Sequence, residues 1–296
     1  MRFEFPMRGE TQSLTPELRQ KVGGSYITLP DGITHYEMAG PDDGPVVALI
    51  HGFSVPFFIW DPTFDALVKA GYRVLRYDMF GRGYSDRPHL EYDLDLFTRQ
   101  LADLLDALEI AKCRAVFGLS MGGLVAANFA VLHRERLEKL GLFDPAGFPL
   151  DFPAIMRWFL MPGVGEVFFS LLSEKRYEQI MSTSIFDPSE VQLVIDRYRP
   201  QMKIKGFRRA ILSTMRNGTP ELGLEIYKQL GEMEDLPVLL VWGEDDHTVP
   251  FKFSKVLCSM VKQIEFHPIA GGGHTPHYRQ ADEVNPIVLR FLGEEE

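Results

Sequence analysis

The sequence predicts an α/β protein in which a mostly parallel, twisted sheet carries helices on both faces. Short apolar runs with the character of buried strands alternate along the chain with helical stretches, which lie at 64–69, 94–108 and 121–133. Alternation of this kind connects parallel strands through helical crossovers. The chain opens differently, because Ser25–Leu29 and 33–38 flank the turn residues Pro-Asp-Gly and indicate a hairpin.

A long insertion interrupts the alternation after the strand predicted at 137–144. The segment 148–235 has no strand candidate but contains dense clusters of aromatic, leucine and methionine side chains. An insertion at this point follows the C-terminal edge of the sheet, where α/β proteins bind their ligands. We therefore expect an α/β core at 1–147 and 236–296 with a helical cap at 148–235. Residues 1–21 show no strong pattern and are expected to form an arm.

A short glycine and serine motif is the most informative feature of the chain. Gly-Leu-Ser-Met-Gly-Gly follows an apolar strand pattern that ends at Phe117 and precedes the helix predicted at 121–133. A strand that turns into a helix within one residue strains the turning residue, and Gly118 and Gly122 make room for that turn. The turning residue is Ser120. Serine is also a common helix cap, so the motif predicts a nucleophile only if an acid and a histidine accompany it.

Both partners occur further along the chain in the required order. Asp246 lies three residues beyond Gly243, at the end of an apolar strand pattern, and His274 follows three glycines after the strand pattern at 264–268. A serine hydroxyl needs a base to take its proton, and the base needs an acid to hold its tautomer. Asp144, at the end of the strand before the insertion, stays open as an alternative acid. With a neutral histidine as base, kcat/KM is expected to decline below about pH 6 to 7.

Two further loops are predicted beside the serine. The apolar strand pattern Val46–Ile50 is followed by His-Gly-Phe, and the backbone N–H of Phe53 is placed to pair with that of Met121 in binding an oxyanion. His51 is expected to order this loop through a hydrogen bond rather than to act in catalysis. The glycine-containing stretch at 78–85 is expected to form a tight loop beside the site.

Five motifs in this order resemble those of the α/β-hydrolase fold family. They are His-Gly-Phe at 51–53, Asp-x-x-Gly-x-Gly-x-Ser at 78–85, Gly-Leu-Ser-Met-Gly-Gly at 118–123, Trp-Gly-Glu-Asp-Asp at 242–246 and Gly-x-Gly-His at 271–274. The resemblance covers most of the chain. It implies that Ser120 is the nucleophile, Asp246 the orienting acid and His274 the general base, with an oxyanion hole formed by Phe53 and Met121.

The serine at position 120 limits the reactions that the site could catalyse. Dehalogenases and epoxide hydrolases of this family carry aspartate there, so Ser120 indicates acyl transfer through an acyl-enzyme. We expect a carboxylesterase-like or lipase-like enzyme that cleaves a small or medium apolar ester. One alternative is hydrolysis of a carbon–carbon bond in a vinylogous diketone of the meta-cleavage product type. Enzymes of that kind share Ser-Met-Gly-Gly but usually carry Asn and Trp where this chain has Leu119 and Thr275. Two further alternatives to an ester hydrolase are a cofactor-free perhydrolase and a ligand receptor on the same scaffold.

The predicted cap suggests the character of the substrate. Its aromatic and methionine side chains cannot all pack onto the sheet, so Trp158, Phe159 and Phe148 are expected to bind substrate. A wall of this kind favours apolar over charged acyl groups, and flexible methionines allow several acyl shapes.

Composition fits an ordinary enzyme that acts on a small molecule. The 296 residues suit one large α/β domain with an insertion, and a hydrophobic fraction of 45% lies near the average for globular proteins. A formal net charge of −10 argues against a nucleic-acid partner. Cys113 and Cys258 provide no disulfide framework. Without a signal peptide or a membrane-spanning run, we expect a cytoplasmic protein. We expect no metal or cofactor, and the oligomeric state is left open.

Overall fold

One twisted sheet organises the molecule. The computed structural model describes residues 7–149, 158, 160–173, 175–176, 179, 191–217 and 220–293. Within these ranges the strands are β1 (Ser25–Leu29), β2 (Gly32–Ala39), β3 (Val46–Ile50), β4 (Arg73–Tyr77), β5 (Cys113–Leu119), β6 (Leu137–Phe143), β7 (Val238–Gly243) and β8 (Ile264–Ile269). They are ordered β1-β2-β4-β3-β5-β6-β7-β8. Strand β2 pairs antiparallel with β1 and β4, and the other pairs are parallel.

Helices connect the parallel strands, as the sequence predicts. They are α1 (Pro16–Val22), α2 (Asp61–Lys69), α3 (Leu94–Ala107), α4 (Met121–Leu132), α5 (Val164–Leu171), α6 (Val191–Met202), α7 (Phe207–Asn217), α8 (Pro220–Gly231), α9 (Lys252–Met260), α10 (Pro276–Arg279) and α11 (Ala281–Leu292). The expected α/β fold class is confirmed. None of the helices in the described ranges is both long enough and apolar enough to cross a membrane.

Hydrophobic side chains cover both faces of the sheet. Along β5, Ala115 and Phe117 point into one apolar cluster while Val116 points into the other, and all three are fully buried. Helices α3, α4, α8 and α9 pack on the second of these faces, and α2 and α11 pack on the first. A strand buried on both faces requires a continuous apolar run, which explains why the run around Val116 shows no alternation with polar residues.

The described part of 148–235 contains helices and no strand of the sheet. Side chains of α7 are fully buried against the core, Phe207 among them. At the end of α6, Gln201 donates from Nε2 to Ser54 O at 3.0 Å and accepts from Gly83 N at 2.7 Å. The insertion is therefore tied to the loops that follow β3 and β4. Its extent as a separate cap unit stays a prediction.

The segment before β1 has more structure than the expected arm. Thr15 caps α1, because its Oγ1 accepts a hydrogen bond from Leu18 N at 3.3 Å. Further upstream, the carboxylate of Glu10 accepts hydrogen bonds from the backbone N–H groups of Gly206 and Arg208, each at 2.7 Å. This segment therefore holds the start of α7 through charge-assisted bonds to its amino end.

Candidate active site

The parallel strands bring the predicted site residues to one edge of the sheet. In the pairing of neighbouring strands, Leu119 lies opposite Phe143, and Gly243 lies opposite Ile269. The carboxyl ends of β5, β6, β7 and β8 therefore meet at the same level. Ser120 follows the first of these strands directly. Acidic and imidazole side chains follow the others, in the position where open α/β sheets bind their ligands.

Ser120 occupies the sharp turn that the glycine motif predicts. Its backbone has φ 54° and ψ −118°, a conformation that side-chain-bearing residues rarely adopt. Its N–H donates to Phe143 O at 2.8 Å, which fixes the turn to the neighbouring strand. A side chain at Gly118 would overlap Gly122 O, and one at Gly122 would overlap His51 O. Both glycines are therefore required for the backbone to pass so closely.

Asp246 and His274 form a buried hydrogen-bonded pair. His274 Nδ1 lies 2.7 Å from Asp246 Oδ2, and both side chains are at most 7% exposed. The other oxygen of Asp246 accepts from Thr248 N at 2.7 Å and from Val249 N at 2.9 Å. Because the Nδ1 hydrogen points to Asp246, Nε2 is the ring nitrogen that can accept a proton. Of the two candidate acids, Asp246 is thus the one that contacts the imidazole.

The loop after β3 lies against the serine and is held by His51. Met79 N donates to His51 Nε2 at 2.9 Å, so the ring hydrogen is on Nδ1, which donates to Gly52 O at 2.8 Å. That carbonyl belongs to the same peptide group as the N–H of Phe53. Burial lowers the pKa of His51 to about 4, so the ring stays neutral and keeps this pattern at neutral pH. The predicted loop-ordering role of His51 is confirmed.

Arg82 holds the next peptide group, a role that the sequence did not reveal. Its Nε donates to Phe53 O at 2.8 Å, and its Nη2 donates to Thr214 Oγ1 of α7 at 2.8 Å. Hydrogen bonds from His51 and Arg82 therefore orient the peptide groups on both sides of Phe53. Such fixed donors are what an oxyanion hole requires. The only sequence signal for Arg82 was its place within the motif at 78–85.

The loop at 78–85 is tight, as predicted. Asp78 Oδ2 lies 2.7 Å from His35 Nδ1 and accepts from Tyr84 N at 2.9 Å. Burial alone would raise the pKa of Asp78, but the hydrogen bond from His35 and the nearby imidazoles outweigh it and lower the pKa. A side chain at Gly83 would overlap the Asp78 carboxyl group. The loop is therefore built around this carboxylate.

The second histidine of the predicted base region is a core residue. His277 is fully buried, with its ring centroid 4.2 Å from that of Trp60 and 5.6 Å from that of Phe143. Burial, together with the neighbouring His274, lowers its pKa to about 3. His277 is thus a neutral ring that packs in the hydrophobic core.

The three side chains predicted to bind substrate lie in different places. Phe148 is 3% exposed and stacks on Tyr227 and Phe253, with centroid distances of 5.3 and 4.8 Å. Trp158 has 61% of its surface exposed. Phe159 lies outside the described residues. Packing in the core accounts for Phe148, and a substrate-binding role for these residues stays a prediction.

A different set of side chains lines a small cleft that touches Met121, the residue after Ser120. The cleft has a volume of about 50 Å³, and Met121 contributes to it from the start of α4. Its walls also include Tyr92 and Phe97 from the α3 region and Thr214 and Leu222 from the insertion. The lining is mainly apolar, in keeping with the expected preference for apolar groups.

Among the described residues, one group of histidine, cysteine and carboxylate side chains has a spacing suited to a metal ion. It consists of Asp144, Asp246 and His274. One oxygen or nitrogen from each lies within 4.8 Å of the others. However, two of these three side chains already pair with each other, through the 2.7 Å hydrogen bond between Asp246 Oδ2 and His274 Nδ1. The arrangement therefore fits an acid and base pair better than a metal centre.

Comparison with known proteins agrees with this geometry. Residues 45–280 match the family model described as alpha/beta hydrolase fold. The 2-hydroxy-6-oxo-6-phenylhexa-2,4-dienoate hydrolase of Comamonas testosteroni is 30% identical over 274 residues, which are 89% of this chain and 92% of that protein. A 2-hydroxy-6-oxononadienedioate/2-hydroxy-6-oxononatrienedioate hydrolase of the same organism is 28% identical over 93% of this chain and 98% of its own.

Solved structures lead to the same family. The meta-cleavage product hydrolase of Pseudomonas fluorescens IP01, crystallised with acetates, superimposes with a TM-score of 0.74 at 27% identity. The match covers 90% of this chain and 97% of that one. With the family model spanning most of its length, this chain belongs to the α/β-hydrolase fold family and is a hydrolase of that fold.

Proposed function

We propose that this protein is a serine hydrolase that cleaves the carbon–carbon bond of a vinylogous diketone. The observation that carries the choice of bond is the likeness to relatives named as dienoate hydrolases, one of them 30% identical over 89% of the chain. This substrate class replaces the apolar ester as the leading expectation. In either reaction Ser120 is the nucleophile, His274 the base and Asp246 the orienting acid.

The chemistry of this cleavage follows from the arrangement of the three groups. Ser120 Oγ attacks the ketone carbon while His274 Nε2 takes its proton, and the N–H groups of Phe53 and Met121 stabilise the oxyanion. The hydroxydienoate reacts as its keto tautomer, in which the hydroxyl proton has moved to the carbon beside the ketone. When the carbon–carbon bond breaks, its electron pair passes into the conjugated second carbonyl group and forms a dienolate, which takes the proton that His274 received from Ser120. Water then hydrolyses the acyl-enzyme, so one water is consumed and a carboxylic acid and a second keto product are released.

Ester hydrolysis is the second candidate, and two residues favour it. Leu119 and Thr275 stand where carbon–carbon hydrolases usually have Asn and Trp, and both are nearly fully buried. An ester has an oxygen leaving group and needs no conjugated carbonyl group to accept electrons. The apolar cleft beside Met121 suits an uncharged acyl chain. A perhydrolase uses the same acyl-enzyme with peroxide in place of water.

Parallel assays of the two substrates separate these candidates. The protein is given 2-hydroxy-6-oxo-6-phenylhexa-2,4-dienoate and 4-nitrophenyl butyrate, with Ser120→Ala as the blank. We expect kcat/KM for the dienoate to exceed that for the ester by about tenfold or more, about 1.4 kcal/mol in transition-state stabilisation. Turnover of the ester with an inert dienoate would establish the esterase instead. Binding of both without turnover would indicate a receptor.

Ester chain length tests the apolar cleft separately. We consider nitrophenyl esters from acetate to dodecanoate. Each added methylene should stabilise the transition state by at most about 0.8 kcal/mol, and so raise kcat/KM by at most about fourfold, until the cleft is full. Leu222→Glu at the cleft should flatten this dependence. The matched control is Leu132→Glu at the far end of α4, where the leucine is 58% exposed. A flat wild-type profile, or faster cleavage of a succinyl ester than of a butyrate, would contradict an apolar acyl site.

A further inference from the structure

Asp144 is a buried acid whose role the proposed reaction leaves unexplained. It follows β6, is fully buried and has φ 43°. Its N–H donates to Val241 O at 3.0 Å, and its Oδ1 accepts from Gly243 N at 2.8 Å. These bonds hold the carboxyl group between the end of its own strand and the end of β7. Its Oδ2 has no hydrogen-bond partner among the described residues.

A second carboxyl group, that of Asp246, lies close to the carboxyl group of Asp144. Atoms of Asp144, Asp246 and His274 lie within 4.8 Å of one another. In the described part of the chain, no lysine or arginine forms an ion pair with either acid. Two ionised carboxylates this close in a buried site repel strongly, so one of them holds a proton.

The hydrogen bonds decide which acid is neutral. Asp246 accepts three bonds, from Thr248, Val249 and His274, whereas Asp144 accepts one. A carboxylate that accepts several N–H groups holds its negative charge best. Burial and the neighbouring charge of Asp246 raise the pKa of Asp144 well above its usual range. The proton therefore belongs to Asp144.

We infer that Asp144 is a positioning residue, a neutral carboxylic acid whose proton lies toward Asp246 and limits how strongly Asp246 stabilises the protonated form of His274. The inference rests on the proposed triad. His277, a further titratable group near His274, is buried and neutral. A lone Asp246 carrying its full charge would hold a proton on His274 to higher pH. Sharing that charge with Asp144 keeps the base in its active, neutral form.

Two substitutions at one position test this with a pH profile. In Asp144→Asn the amide oxygen can accept from Gly243 N and the amide N–H can donate to Asp246, and asparagine tolerates the backbone conformation. Asp144→Ala can neither accept from Gly243 N nor donate to Asp246. We expect the acid limb of the kcat/KM profile to move up by about one pH unit in the alanine variant and by less than about 0.3 in the asparagine variant. A limb that stays in place in Asp144→Ala, or moves equally in both, would overturn the inference.

Stability measured against pH gives a second readout that does not depend on activity. Above about pH 4 the unfolded chain ionises this aspartate while the native state keeps it protonated, so unfolding releases a proton. The wild type should therefore lose stability relative to Asp144→Asn as the pH rises, about tenfold in the unfolding constant per unit. A difference that is independent of pH would show that Asp144 is ionised. Failure of the triad itself is recognised separately, because Ser120→Ala would then stay active.

Discussion

Replacing Ser120 with alanine is expected to lower kcat by about 10³- to 10⁶-fold on whichever substrate the protein turns over. The variant loses the nucleophile but keeps the oxyanion donors and the binding surface, which leave only a small residual rate. Alanine, like serine, carries a Cβ and meets the same backbone strain at φ 54°. Circular dichroism and thermal melting should therefore report an intact fold.

The control for this loss is a serine on the surface of α9. Ser259 Oγ donates to Val256 O at 2.6 Å, and Ser259→Ala should keep wild-type kcat. A folded Ser120→Ala variant that retained more than about a tenth of the activity would contradict the assignment, because that loss is far smaller than a nucleophile's removal causes.

Asp246→Asn is expected to lower kcat by about 10⁴-fold. The amide would donate a hydrogen bond to His274 Nδ1, and this stabilises the tautomer whose Nε2 carries a hydrogen and cannot accept the serine proton. The matched substitution is Asp144→Asn, which should cost less than about tenfold because Asp144 acts only through Asp246. Steady-state rates of both variants on one substrate give the comparison. The reverse ranking would move the acid to Asp144.

The same logic separates the two histidines near the end of β8. His274→Ala should resemble Ser120→Ala, since each removes one member of a unit that works together. His277→Ala should be mild in kcat, because His277 packs against Trp60 and Phe143 in the core. Equal losses in two folded variants would contradict the assignment of His274 as base.

The sheet could be predicted from sequence because its strands are apolar runs with clear boundaries. The bounds of Val46–Ile50 and Arg73–Tyr77 are those that the sequence indicates. Strand β7 starts later than its apolar run, which begins at Leu236. Pro237 has no N–H to give to a ladder, and only its carbonyl pairs, with Leu140 N at 3.0 Å. Helix α1 was missed, although Thr15 followed by proline is a typical helix start.

Local motifs revealed the candidate site only in part. The glycines beside Ser120 reflect a backbone constraint that acts over a few residues. The sharp turn at Ser120 could therefore be predicted from the sequence alone. The contact between Asp144 and Asp246 depends on the pairing of β6 with β7, in which Phe143 lies opposite Val241. No pattern within either strand specifies that alignment. The bond from Arg82 to Phe53 is hidden in the same way, because it joins two loops across the sheet edge.

Labelling with a fluorophosphonate probe, followed by peptide mass spectrometry, tests the central claim most directly. The probe forms a covalent adduct with an activated serine, so it reports the nucleophile without knowledge of the natural substrate. We expect the adduct on Ser120, complete loss of labelling in Ser120→Ala, and strongly slowed labelling in His274→Ala. An adduct on another residue, or undiminished labelling of Ser120→Ala, would contradict the account.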